Sequence, residues 1–129
     1  MKKSPKRHAL IVDDEPLIRW SMAETLTQAG YDVAEASDAK EALQRLADLP
    51  ASGVILLDFR LPDSNDLTLL ERIRHVVPTS AVVMMTAFGT PAMQANAIEL
   101  GAHRVLSKPV EMRDLLSFVQ AAQDTRRQP

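Results

Sequence analysis

Short apolar runs alternate with longer segments of helical period from about His8 to Gln120. The runs are Ala9 to Val12, Tyr31 to Ala36, Val54 to Leu57, Ala81 to Met85 and Val105 to Leu106, all of strand length. Four helix-length segments lie between them and a fifth comes after the last. Strands alternating with helices imply βαβ units, hence a parallel sheet with right-handed crossovers. The runs at Ala9, Val54 and Ala81 are almost continuously hydrophobic, as expected of central strands covered on both faces. The run from Tyr31 is interrupted by Asp32 and Glu35, which suits an edge.

Helix punctuation agrees with this division. Pro16 and Pro91 suit first helical positions, Thr90 suits an N-cap, and Gly30 and Gly101 suit the residue just past a helix end. Met93, Ala97 and Leu100 recur at helical spacing, as do Met112, Leu115, Leu116 and Val119, and both stripes read as core. The leader Met1 to Arg7 and the tail Gln123 to Pro129 are polar and read as frayed or linker-like, leaving one domain over 8–122.

Composition narrows the class. At 129 residues with 46% hydrophobic and 25% charged positions, the chain suits one soluble domain that buries roughly two-thirds of its unfolded surface. Seventeen acidic against 15 basic residues give a formal charge of −2, so no global field draws this domain to nucleic acid or anionic lipid. No cysteine is present, which excludes a disulfide framework and a thiolate metal site, and no signal peptide or membrane span is read. A cytoplasmic location is expected.

The informative pattern lies in the residues at and just past the strand ends: Asp13 and Asp14 after Val12, Asp58 after Leu57, Thr86 after Met85, and Lys108 after Ser107. In a parallel sheet these ends share one edge, where ligands bind at the topological switch point. Three crowded carboxylates repel unless a cation neutralises them, and oxygen donors suit a hard ion such as Mg²⁺ completed by water and phosphate. A carboxylate is also a nucleophile toward phosphorus, with Thr86 and Lys108 suited to the phosphoryl oxygens. Each residue also has a plainer role: Asp13 or Asp14 as a helix cap, Asp58 as a turn opener, Thr86 as a loop hydroxyl, Lys108 as a solvated surface lysine. Four complementary strand ends for one reaction favour the shared site.

The segments Ile11-Val12-Asp13-Asp14-Glu15-Pro16, Leu56-Leu57-Asp58-Phe59-Arg60-Leu61-Pro62, Met85-Thr86-Ala87-Phe88-Gly89 and Ser107-Lys108-Pro109 resemble the receiver domains of two-component response regulators. The stretch Thr86-Ala87-Phe88-Gly89-Thr90 with Glu99-Leu100-Gly101-Ala102 is most similar to receivers of the nitrogen-regulation type of transcriptional activator. The resemblance implies a flavodoxin-like (βα)5 doubly wound sheet of strand order 2-1-3-4-5. It implies that Asp58 accepts a phosphoryl group from a sensor histidine kinase or a small donor such as acetyl phosphate, and that the domain catalyses the later hydrolysis itself. Asp14, Asp58 and the Arg60 carbonyl would bind Mg²⁺, or Mn²⁺ in its place, with Asp13 acting through a water. Lys108 would pair with the phosphoryl oxygens beside a cis Lys108-Pro109 bond, and Thr86 would move inward past small Ala87. The readout would be the surface of the fourth helix, fifth strand and fifth helix, used for dimerisation or for contacting a linked or separate output domain.

Two positions depart from the family pattern. Val105 stands where an aromatic residue usually couples to the threonine, leaving Phe88 as the nearby aromatic, with a switch role or a simple core or surface role. Asp66, preceded by Asn65, replaces the glycine after the phosphorylation loop, and is expected to tolerate left-handed backbone there. Two other functions stay open on sequence. One is a Mg²⁺ phosphohydrolase with its nucleophile at Asp13, which would want two aspartates separated by one residue and a cap segment. The other is a receiver-like interaction module that is never phosphorylated.

Overall fold

The computed structural model describes residues 7–50 and 53–127, with side chains up to residue 124. Five parallel strands form one sheet: β1 (Arg7–Val12), β2 (Tyr31–Ala36), β3 (Val54–Asp58), β4 (Ala81–Thr86) and β5 (Arg104–Ser107). They are joined by α1 (Pro16–Gln28), α2 (Ala39–Arg45) with a 3₁₀ turn at Leu46–Asp48, α3 (Thr68–Val76) and α4 (Pro91–Glu99), and α5 (Met112–Arg127) closes the chain. The strand order is β2-β1-β3-β4-β5, so the alternating Tyr31 run is an edge and the three continuous apolar runs are central.

Period-2 alternation along each central strand feeds two cores. Ala9, Ile11, Val54, Leu56, Val83 and Met85 join Met22, Leu26, Leu115 and Val119 on the face covered by α1 and α5. Leu10, Val12, Ile55, Leu57, Val82 and Met84 join Leu70, Ile73 and Ala97 on the face covered by α2, α3 and α4. Each such Leu, Ile or Val, taken fully from water, contributes about 1.5–3 kcal/mol. These two layers hold the sheet between them and gather the carboxyl ends of its strands along one edge.

Helix ends agree with the punctuation. Pro16 and Pro91 occupy first helical positions, and Thr90 Oγ1 accepts from Met93 N at 3.1 Å. Gly30 and Gly101 take φ of 95° and 108°, left-handed values that favour glycine just past α1 and α4.

Three expectations are corrected. Arg7 is no part of a frayed leader: it opens β1 opposite Tyr31. The rest of that leader, residues 1–6, lies outside the described residues. The polar tail expected from Gln123 is helical through Arg127, because α5 carries Ala122 into the core and buries Gln123 at its edge; residues 128–129 lie outside the described residues. Asp66 does not use left-handed backbone, since no described non-glycine residue has positive φ. Instead its Oδ1 accepts from Thr68 N at 2.9 Å, and a side-chain turn replaces the glycine.

Candidate functional site

The order of strands reverses direction between β1 and β3, the place where a doubly wound sheet leaves a crevice at its carboxyl edge. β1 leads directly into Asp13, which is fully buried, and exposed Asp14 comes next. Asp58 is the last residue of β3 and Thr86 the last of β4, each only 5% exposed. Lys108 comes directly after β5, its turn held by Lys108 N donating to Thr86 O at 2.8 Å, and Lys108-Pro109 is cis. The four strand ends therefore meet.

Lys108 Nζ lies 3.2 Å from Asp58 Oδ2, 3.1 Å from Asp13 Oδ2 and 3.5 Å from Glu15 Oε1. One carboxylate oxygen from each of Asp13, Asp14 and Asp58 falls within 4.8 Å of the others, close enough for a single cation. Among the described residues this is the one such group. Burial, then the Asp13 charge, push the Asp58 carboxyl above its ordinary value, and Lys108 and the Arg60 N–H only partly offset them. For Lys108, burial pulls downward, but the charges of Asp13 and Asp58 outweigh it and the net shift is upward. Three acids, Asp13, Glu15 and Asp58, face one ammonium, and Asp14 adds a fourth carboxylate beside them, an environment that favours more positive charge. All-oxygen donors, crowded and partly buried, fit a hard divalent ion.

The neighbouring residues shape the approach. Asp13 is not a helix cap: Glu15 holds the N-cap position of α1, and Asp13 Oδ1 accepts from Glu15 N at 2.9 Å. Arg60 N donates to Asp58 Oδ1 at 3.3 Å, while Phe59 N donates to Met85 O at 2.8 Å and locks the β3 end to β4. Thr86 Oγ1 accepts from Phe88 N at 3.3 Å. Ala87 is exposed, and Phe88 is 83% exposed, which excludes a core role for its ring. Val105 is half-buried against the α2, α3 and α4 core, in register with Met84, while Pro109 is exposed beside the site. Asp58, Thr86, Lys108 and Pro109 border a cavity of about 640 Å³ whose apolar floor includes Ile18, Met22, Met85 and Met112.

Sequence reasoning missed two participants. Glu15 was read only as part of a motif, yet it reaches Lys108. Arg19 was not singled out, yet its Nη1 donates to Asp13 O at 2.8 Å and its Nε to Glu35 Oε1 at 3.1 Å. The available signal was an arginine one turn after Glu15 on the same helix.

Fold and site together define a doubly wound α/β protein with an acidic switch-point centre and an opposed lysine. The chain belongs to the response regulator receiver domain family, which it matches over residues 9–120. It is 38% identical over 117 residues to response regulator protein PilR of Pseudomonas aeruginosa, an alignment covering 91% of this chain and 26% of PilR. It is 30% identical over 106 residues to chemotaxis protein CheY of Thermotoga maritima, covering 81% of this chain and 88% of CheY. The receiver domain of NtrX from Brucella abortus superposes with a TM-score of 0.80 at 32% identity, covering 91% of this chain and 98% of that one. The chain thus spans about a quarter of PilR but most of CheY. These relatives agree with the resemblance to nitrogen-regulation receivers. Family membership makes this a phosphoacceptor signalling domain of two-component systems.

Proposed function

We propose that Asp58 accepts a phosphoryl group from the phosphohistidine of a sensor kinase, or from acetyl phosphate, in a Mg²⁺-dependent reaction. The observation that carries this reading is the placement of Lys108 Nζ against both Asp58 and Asp13 at the switch point. Asp13, Asp14, Asp58 and the Arg60 carbonyl would hold the ion, with Mn²⁺ able to replace Mg²⁺. When bound, the ion supplies charge neutralisation for the carboxylates and the incoming phosphoryl oxygens.

An Asp58 oxygen forms the new bond to phosphorus as the bond to the donor's imidazole nitrogen, or acetate oxygen, breaks with its electron pair. The buried, crowded Asp58 is poised at a rigid strand end, so little reorganisation is needed to align it. Lys108 faces the phosphoryl oxygens as a fixed positive charge. Water later attacks the same phosphorus, the bond from phosphorus to the Asp58 oxygen breaks with its electron pair on that oxygen, and inorganic phosphate and a proton are released, so the domain is a self-hydrolysing switch rather than a conventional enzyme.

The added group carries about −1.5 to −2 charge and new acceptor oxygens. Thr86, whose hydroxyl now accepts locally from Phe88 N, would swing to donate to it, with exposed Ala87 giving room. Inverting a two-state population from about 1:99 to 99:1 takes about 5.5 kcal/mol, within reach of a few charge-assisted bonds. In this reading Val105, Phe88 and Pro109 would carry the change toward the surface of α4, β5 and α5. There we place the contact with a linked or separate output domain, or a second copy. NtrC of Azospirillum brasilense, 30% identical to this chain over 120 residues, is named a DNA-binding transcriptional regulator, which supports an output in transcription. The receiver itself would bind neither nucleic acid nor membrane and would act in the cytoplasm. No helix among the described residues is long and apolar enough to cross a membrane.

Incubation with acetyl phosphate and Mg²⁺, then intact-mass measurement, tests the reading. One phosphoryl adduct is expected on the wild-type chain and none on Asp58→Asn; absence of the adduct, or its persistence in the variant, contradicts it.

A further inference from the structure

Asp13 is held on four sides. Its N–H donates to Ala36 O at 3.1 Å, its Oδ1 accepts from Glu15 N and its Oδ2 from Lys108 Nζ. Its carbonyl accepts from Arg19 Nη1 at 2.8 Å. The residue is fully buried, so a partner lost from any of these atoms leaves a polar group desolvated and unpaired. Three of the partners come from the acidic loop, its lysine or the neighbouring strand. The fourth reaches across from α1.

The Arg19 side chain is 20% exposed, and its guanidinium is pinned at a second point, Nε donating to Glu35 Oε1 at 3.1 Å. Glu35 belongs to β2, and its own carbonyl accepts from Arg45 Nε at 3.2 Å. A planar fork fixed by Glu35 presents Nη1 to the Asp13 carbonyl in one orientation, which a flexible ammonium does not reproduce. Arg19 thus acts on the main chain of the loop, and through it on where the Asp13 and Asp14 carboxylates stand.

We propose that Arg19, braced by Glu35, is a positioning residue that holds the Asp13-Asp14 main chain in the arrangement needed to bind a divalent cation. The inference rests on the cation-site reading above. Removing the brace lets the loop relax from β2 while Asp13 Oδ2 keeps its lysine, so the three carboxylates no longer converge. Loss of a hydrogen-bonded partner behind a metal ligand weakens metal binding by about 10- to 100-fold, and a contact to the ligand's main chain belongs at the low end.

The test uses the full chain and Mn²⁺ as probe, its binding monitored by loss of the free-ion electron paramagnetic resonance signal, with Mg²⁺ as competitor. The variant Arg19→Met/Glu35→Met removes one positive and one negative charge together, so the net field at the site is preserved. It should bind Mn²⁺ about 10-fold more weakly than wild type. Glu41→Gln, which removes a negative charge near Arg19 without touching the fork, should stay within about twofold. Equal affinity in the double variant and wild type overturns the inference, and so does a loss in Glu41→Gln as large as that in the double variant. If the double variant does not fold, Arg19→Lys decides: weaker binding than wild type supports the positioning role, and equal binding overturns it. A wild-type chain that binds no Mn²⁺ overturns the cation-site reading itself.

Discussion

The Lys108 ammonium stands 3.2 Å from Oδ2 of Asp58, although the two residues are 50 positions apart and sit at the ends of different strands. The same Nζ lies 3.1 Å from Asp13, so one cation separates two buried carboxylates. Lys108→Met should therefore leave them facing each other without compensation. The expected loss is about 1–3 kcal/mol in metal-free buffer, reduced because the lysine is partly exposed. Saturating Mg²⁺ should recover much of it. Urea unfolding with and without chelator measures both effects.

Asp58→Asn should have the opposite sign. Burial and then the Asp13 charge raise the Asp58 pKa in the folded state above the ordinary 3.8. A raised acid contributes stability below its unfolded pKa and loses it as pH rises through the folded value. At neutral pH the ionised carboxylate is thus a net cost, and the amide of the same shape removes it. In chelator at neutral pH the variant should be more stable by on the order of 1 kcal/mol. Mg²⁺ should then stabilise the variant less than wild type, as thermal unfolding would show.

Asp63 offers a pH signature away from the site. Its Oδ1 and Oδ2 accept from Ala39 N at 2.8 Å and Lys40 N at 3.1 Å, tying the loop after β3 to the first turn of α2. The Ala39 N–H, helped by that of Lys40, holds its carboxyl below the ordinary 3.8. A depressed acid contributes stability above its unfolded pKa and loses it as pH falls through the folded value. Asp63→Asn should cost about 0.5 kcal/mol at neutral pH, discounted for exposure. The difference from wild type should shrink as pH drops below the ordinary carboxylate range, and an NMR titration of the Asp63 carboxyl should give a midpoint under 3.8.

Thr86→Ala should separate modification from response. Thr86 is 5% exposed, and its hydroxyl accepts from Phe88 N, on the loop beyond β4. The alanine variant should still take a phosphoryl group at Asp58. Amide shift changes at Phe88 and Val105 on phosphorylation should fall well below those of wild type, and Thr86→Ser should restore them.

The sheet was legible in the sequence because its central strands are buried on both faces and read as unbroken apolar runs. Asp13, Asp14, Asp58, Thr86 and Lys108 were legible because a parallel sheet brings all its carboxyl ends together, so position along the chain translates into place. Arg19 was not, since an arginine on a helix looks like any solvated residue until β2 is known to lie beside β1 and to present Glu35. Gln123 was misread because a polar residue in the last turns of α5 gives no sign that Ala122 beside it enters the core. Asp66 was misread in mechanism: its side chain makes the turn that the backbone was expected to make.

The most direct test of the account is the site of the modification itself. Borohydride reduces an aspartyl phosphate to homoserine, so the chain should be treated with acetyl phosphate and Mg²⁺, reduced, digested and sequenced by tandem mass spectrometry. Homoserine at position 58 and at no other aspartate is the predicted result. Homoserine at position 13 or 14, or at none, would contradict it.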